Sequence, residues 1–209
     1  MADQLGYVLV VDDIPDILKL LDATLKFKGF RVVTAQNGQE ALEAIQNERP
    51  ALVIADILMP KMDGFNLLHR IRLNPETRNL PVIFLSATYV AAEDKDFAYA
   101  LGVNRFIEKP VDWDKFLPIV TDILINGAPA SPTLITEVEF YNRYRQRLET
   151  KLKQKVSQIA RDEHLIKTLS DIQRPAFEST LQQAIRERDE LQQVLDQIRQ
   201  RLDSLADSE

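Results

Sequence analysis

Between Tyr7 and Ile125 the chain alternates five times between a short β-rich apolar run and a stretch of helical period, which restricts the fold more than any other feature. The apolar runs are "YVLVV", "FRVVTA", "ALVIAD", "LPVIFLSA" and "VNRFIEKP". The helical stretches that follow them are "DILKLLDATLKFKG", "GQEALEAIQNE", "GFNLLHRIRLN", "AEDKDFAYALG" and "WDKFLPIVTDILI". Alternation of this kind predicts an α/β domain with a parallel sheet covered by helices on both faces. The punctuation agrees: Gly29 and Gly102 close helical stretches, where a left-handed residue is expected, and Pro15 falls in a first helical turn, where its missing N–H does no harm.

Open parallel sheets bind ligands beyond the carboxyl ends of their strands. The residues that end each run are therefore the ones to read for chemistry. The first run stops at Asp12 and Asp13, the third at Asp56 and the fourth at Ser86, while Lys109 and Pro110 follow the fifth. Adjacent carboxylates repel, and burying one without a partner costs several kcal/mol or drives it to take up a proton. A pair at the end of a buried strand therefore calls for something positive nearby. Three carboxylates, a hydroxyl and an ammonium suit phosphoryl chemistry. Mg2+ takes one or two carboxylates with waters and phosphate oxygens, Asp is a known phosphate-accepting nucleophile, and such transfer rests on positioning and charge neutralisation.

"VVDD", "IADILMPKMDG", "FLSA" and "IEKP", in this order and spacing, resemble the receiver domain of two-component response regulators over Gly6 to Ile125. The resemblance implies a flavodoxin-like five-stranded parallel sheet of order 2-1-3-4-5. It implies that Asp56 accepts a phosphoryl group from a phosphohistidine on a histidine kinase or phosphotransfer protein. Asp13 and Asp56 would bind Mg2+ directly, Asp12 through water, and the backbone carbonyl of Leu58 would be a further ligand. Lys109 would pair with Asp56 and then with its phosphoryl group, and Ser86 would donate to a phosphoryl oxygen. Phe106 stands at the position of the family's Tyr or Phe switch, where it can act only by packing. The family carries the Lys109–Pro110 bond in cis. Ser86 stands where Thr is commoner, and Leu58 and Thr88 stand where the family tunes hydrolysis of the phosphoryl group.

Each residue also has a plainer reading. Asp12 and Asp13 could cap the next helix, Ser86 and Lys109 could be structural, and Phe106 could be an ordinary strand aromatic. Trp113 reads as a helix-start aromatic packed on the domain, and Asp63-Gly64 as a turn leading into a helix. Two other classes are weighed against a switch. A constitutive scaffold would have no need of the acidic residues, all of which are present. An aspartyl-phosphate phosphatase typically has a second Asp two residues after its nucleophile, where this chain has Leu58.

The expected organisation is a receiver at 1–126, a linker at 127–133 within "NGAPASPT", and a helical extension at 134–209 broken near Pro175, at Arg174. After Pro175 a heptad seam runs through Phe177, Leu181, Ala184, Leu191, Leu195, Ile198, Leu202 and Leu205, with Arg188 in the polar slot. A rougher seam before it uses Leu134, Val138, Tyr141, Leu148, Leu152, Ile159, Ile166 and Leu169. The two helices could close as a hairpin or pair across two chains. The partners expected are a kinase or phosphotransfer protein, a second copy joined through these helices, and a downstream protein that the sequence does not identify.

A net charge of -6 gives no general pull toward nucleic acid or anionic membrane. The basic run Arg143 to Lys155 interleaves with apolar residues at helical spacing and reads as a solvated face. No helix-turn-helix follows the linker, so no DNA-binding output is expected. His164 lies in a weak echo of a histidine phosphotransfer box whose key histidine is missing. The absence of cysteine excludes disulfides and thiolate sites. With no leader pattern and no apolar stretch long enough to span a bilayer, the expected location is the cytoplasm.

Overall fold

The computed structural model describes residues 6–87, 91–128, 135–168 and 174–207. It divides into two units, Met1–Leu134 and Ile135–Glu209. The first alternates β1 (Tyr7–Val11), α1 (Pro15–Phe27), β2 (Arg31–Ala35), α2 (Gly38–Asn47), β3 (Leu52–Asp56), α3 (Gly64–Leu73), β4 (Val82–Ser86), α4 (Ala92–Ala100), β5 (Arg105–Glu108) and α5 (Trp113–Asn126). All ladders are parallel, in the order β2-β1-β3-β4-β5. This is the expected flavodoxin-like sheet.

The central strands β1, β3 and β4 are buried at every residue, which is why they read as unbroken apolar runs. The edge strands β2 and β5 are only partly covered and keep polar residues. Strand alternation sends Val8, Val10, Leu52, Ile54, Ile83 and Leu85 to one face, against Leu21 and Leu25 of α1 and Phe116, Val120 and Ile123 of α5. Opposite, Phe84 meets Phe65 of α3 edge-on at 5.4 Å between ring centroids, and Phe65 meets Phe97 of α4 at 5.1 Å. Each such side chain contributes roughly 1.5–3 kcal/mol on leaving water.

The helix ends follow their chemistry. Gly29 and Gly102 have φ of 88° and 92°, and the amides of Phe30 and Val103 reach back to the carbonyls of Leu25 and Ala98, closing α1 and α4 in Schellman fashion. Pro15 opens α1, as its position predicts. Pro118 departs from local preference by sitting inside α5. Burial of Phe116, Val120 and Ile123 on the same helix outweighs the hydrogen bond it deletes. Trp113 is half-buried, with its ring 5.8 Å from that of Phe116.

The second unit is a helical hairpin of α6 (Glu137–Ile166) and α7 (Arg174–Ala206). Thr136 caps α6 by accepting from the Glu139 amide. Ion pairs Glu137–Arg201, Glu149–Arg199 and Lys155–Glu187 run from the start of α6 against the end of α7, which makes the pairing antiparallel and within one chain.

Two expectations need correction. A helix running to a break at Arg174 is not what forms: α6 ends at Ile166, and Pro175 lies in the first turn of α7. The α6 seam also differs, because Val138 is 41% exposed while Phe140 and Tyr144 are fully buried beside Tyr141, Leu148 and Ile159. On α7, Ala184, Leu191, Leu195 and Ile198 of the heptad are buried with Val194, whereas Phe177 is exposed. The seam positions Leu134 and Leu169 lie outside the described residues, as does Thr88.

Candidate functional site

β1 and β3 are hydrogen-bonded neighbours, and β1 leads directly into Asp12 while β3 ends on Asp56, so the two carboxylates come together at the carboxyl edge of the sheet. Asp12 is 1% exposed and Asp56 8%. β4 is paired with β3 on its other side and ends at Ser86, also buried. The Lys109 amide donates to the Ser86 carbonyl at 3.0 Å, and the Lys109–Pro110 bond is cis.

From there the Lys109 side chain reaches back over the sheet. Its Nζ donates to Asp12 Oδ2 and to Asp56 Oδ1, both at 2.7 Å. The second oxygen of each carboxylate is held by backbone: Asp12 Oδ1 accepts from the Ile14 amide at 3.0 Å, and Asp56 Oδ2 from the Leu58 amide at 2.8 Å. Asp12 and Asp13 do not cap α1, because its N-cap residue is Ile14 with no side-chain bond.

Asp13 stands at the mouth and reaches solvent. Burial and then the neighbouring Asp12 charge push its carboxyl above the usual range. Burial pushes Asp56 up to about 6, more than the attraction of Lys109 and the Leu58 amide pulls it down. Burial works against the Lys109 ammonium, but Asp56 and Asp12 more than offset it and hold the lysine protonated. One ammonium thus serves three carboxylates, and the pocket is short of positive charge.

That shortage bears on the metal. Among the described residues no group of three carboxylate, imidazole or thiolate side chains is arranged to cage an ion. Mg2+ does not demand such a cage, since it keeps several waters and takes one or two carboxylates. Asp12, Asp13, Asp56 and the Leu58 carbonyl supply oxygen donors of the hard kind that ion takes.

Phe106 is a half-buried residue of β5, with the Lys95 ammonium 5.9 Å above its ring centre, and Lys95 also pairs with Glu108 at 2.5 Å. His164 is exposed on α6, away from any of these strand ends in sequence. Among the basic residues of α6, Arg143 pairs with Glu139 on an exposed face, whereas Lys155 is half-buried and pairs with Glu187 of α7 across the hairpin.

Two glycines support the pocket in a way the sequence reading did not identify. A Cβ on Gly64 would stand 2.4 Å from the Asp56 carbonyl oxygen and 2.9 Å from Ile57 Cα, while the Gly64 amide donates to the Ile57 carbonyl. Only glycine lets α3 start so close to the end of β3, and Asp63 caps that start by accepting from the Asn66 amide. A Cβ on Gly38 would meet Met62 just as tightly. The one local signal for either was a glycine at the head of a helical run.

Comparison with known proteins agrees with this geometry. The response regulator receiver domain family matches residues 8–121. The response regulator Rre1 of Synechocystis is 36% identical over 132 residues, 63% of this chain and 56% of Rre1. The transcriptional regulatory protein GlrR of Escherichia coli is 39% identical over 132 residues, again 63% of this chain but 29% of GlrR. The chain thus spans little more than half of one relative and under a third of the other. Among solved structures, the chemotaxis response regulator CheY4 of Vibrio cholerae superposes with a TM-score of 0.53 at 30% identity, covering 56% of this chain and 98% of CheY4. With over half of its length matched and its own strand ends carrying the acidic pair, the third aspartate and the lysine, the chain belongs to the response regulator receiver domain family.

Proposed function

We propose that this protein is a two-component response regulator that accepts a phosphoryl group on Asp56 from a phosphohistidine of a histidine kinase or phosphotransfer protein. The observation that carries the reading is the Lys109 ammonium at 2.7 Å from both Asp12 and Asp56, with the other Asp56 oxygen on the Leu58 amide. A carboxylate oxygen of Asp56 attacks phosphorus, the P–N bond breaks as the new P–O bond forms, and the imidazole leaves neutral because its other nitrogen holds the proton. Asp13, Asp56, Asp12 through water and the Leu58 carbonyl would hold Mg2+, which supplies charge neutralisation for the phosphoryl oxygens. Lys109 moves from the carboxylate to the phosphoryl group, and the Ser86 hydroxyl donates to one of its oxygens.

The new group adds roughly -1.5 to -2 charge at the end of β3. Phe106 responds by packing, which biases the α4-β5-α5 face. We assign the receiver to 1–126, the linker to 127–133 and the output element to 134–209. Output is association, with a second copy or a downstream protein, and needs neither nucleic acid nor membrane; the protein works in the cytoplasm. Among the described residues, no helix is long and apolar enough to cross a membrane. Because α7 already pairs with α6, a second copy must use outward residues such as Val138 and Val156.

The test is intact-mass spectrometry after incubation with a small acyl phosphate and Mg2+. One phosphoryl group is expected on the native chain, and none on Asp56→Asn or in excess chelator. An unmodified native chain refutes the reading. Light scattering on the modified protein tests the output: an association state indifferent to the phosphoryl group leaves only a scaffold.

A further inference from the structure

We propose that Gly38, at the head of α2, is a positioning residue for the phosphoacceptor pocket, acting through Met62 on the loop that carries Leu58. The proposal rests on the reading of that pocket as the phosphorylation site. The loop from Ile57 to Asp63 joins β3 to α3, and its first residues do the work at the site, since the Leu58 amide holds Asp56 Oδ2 at 2.8 Å. Further along, the Met62 amide donates to the Pro60 carbonyl at 2.7 Å, and Lys61 between them has φ of 65°. This is a three-residue turn with a positive φ on a lysine, a rare and strained form. A strained backbone persists only where its surroundings hold it.

What holds it is α2. The first amides of a helix have no partner within the helix. Asn37 accepts from the Gln39 and Glu40 amides at 3.1 Å, leaving the Gly38 amide, which donates to the Met62 carbonyl at 3.0 Å. The approach is so close that a Cβ on Gly38 would lie 2.7 Å from Met62 Cγ, 2.8 Å from its carbonyl oxygen and 3.0 Å from its Cβ. Glu40, in the first turn, accepts from the Gln36 amide and Asn37 Nδ2, and the Lys61 ammonium lies 3.9 Å from the same carboxylate. Two residues beyond Met62, Gly64 abuts the Asp56 carbonyl and its amide donates to the Ile57 carbonyl, so the end of the loop is drawn back against its start. The loop is therefore closed on itself and tied to α2 at Met62, which restricts the path open to Leu58 and its amide on Asp56.

The consequence is a residue distant in sequence that sets the metal affinity of the site without touching it. Outer partners of this kind typically alter metal affinity by about 10- to 100-fold when changed. In Gly38→Ala, the Mg2+ concentration giving half-maximal phosphorylation by acyl phosphate rises about tenfold, while the rate at saturating Mg2+ recovers. Amide exchange at Leu58 in the metal-free protein loses protection. Adding Met62→Ala does not restore either readout, because the carbonyl oxygen and Cβ of residue 62 remain in the way. Unchanged Mg2+ dependence with unchanged Leu58 protection overturns the proposal, and so does full rescue by Met62→Ala.

Should Gly38→Ala not fold, the native chain decides. If the clamp favours Mg2+, then Mg2+ must favour the clamp, so exchange at the Gly38 amide slows on adding Mg2+ alone, in step with Leu58. A Gly38 amide indifferent to Mg2+ overturns the proposal. Failure of the native chain to take up phosphoryl is a separate outcome that counts against the phosphoacceptor reading, and the exchange measurement does not depend on it.

Discussion

Replacing Lys109 by Met keeps most of the aliphatic stem and removes the ammonium that two buried carboxylates share. Asp12 and Asp56 are 1% and 8% exposed, and each accepts from Nζ at 2.7 Å. Removing one partner of a buried ion pair costs about 3–5 kcal/mol because the remaining charge is left uncompensated. Asp56 has an escape, since burial already pushes it up to about 6 and loss of Lys109 pushes it further in the same direction. A carboxyl whose folded pKa exceeds its unfolded value opposes folding fully above the folded pKa, and that opposition vanishes as pH falls through the folded toward the unfolded value. The gap between variant and native chain is therefore widest at pH 8 and closes toward pH 4. With about 3 kcal/mol at stake at pH 8, the melting temperature of the receiver unit falls by about 10 °C in metal-free buffer. Added Mg2+ recovers part of the loss by supplying the missing charge. Calorimetry across this pH range, with and without Mg2+, reads all three effects. A variant that melts with the native chain at every pH would falsify the charge-shortage argument.

Gly64→Ala places a methyl 2.4 Å from the Asp56 carbonyl oxygen, so backbone must move; we expect about 1–3 kcal/mol of lost stability and slower phosphorylation, read by denaturant melts and acyl phosphate kinetics. In the hairpin, Leu148→Ala removes a fully buried side chain and is expected to cost about 2–5 kcal/mol, seen as loss of helical circular dichroism at lower denaturant. Glu137→Ala breaks the partly exposed pair with Arg201 and is expected to cost under about 1 kcal/mol, less in high salt. Equal effects from those two changes contradict the view that apolar packing holds α6 to α7.

The sheet was legible because its central strands are apolar throughout and stop at polar residues, so the run ends of "VVDD", "ALVIAD" and "FLSA" are also the ends of β1, β3 and β4 within a residue or two. The gathering of Asp12, Asp56 and Lys109 followed from sheet order, which local pattern alone does not supply and which the family resemblance did. Other features were hidden for physical reasons. A heptad drawn through Val138 and Tyr141 misses Phe140 and Tyr144, whose larger aromatic surfaces take the buried positions. The Gly38 contact joins a helix start to a loop 24 residues later, and neither segment carries a sign of the other. Pro118 shows the opposite case, in which a strong local rule yields to packing of α5 on the core.

The most direct measurement is chemical trapping of the modified side chain. An acyl phosphate on aspartate is reduced by borohydride to homoserine, so the protein is treated with phosphodonor and Mg2+, reduced, digested and sequenced by mass. Conversion at position 56 alone is the predicted result. Conversion at Asp12 or Asp13 instead, or a phosphoryl group recovered on His164 with Asp56 untouched, would contradict the account.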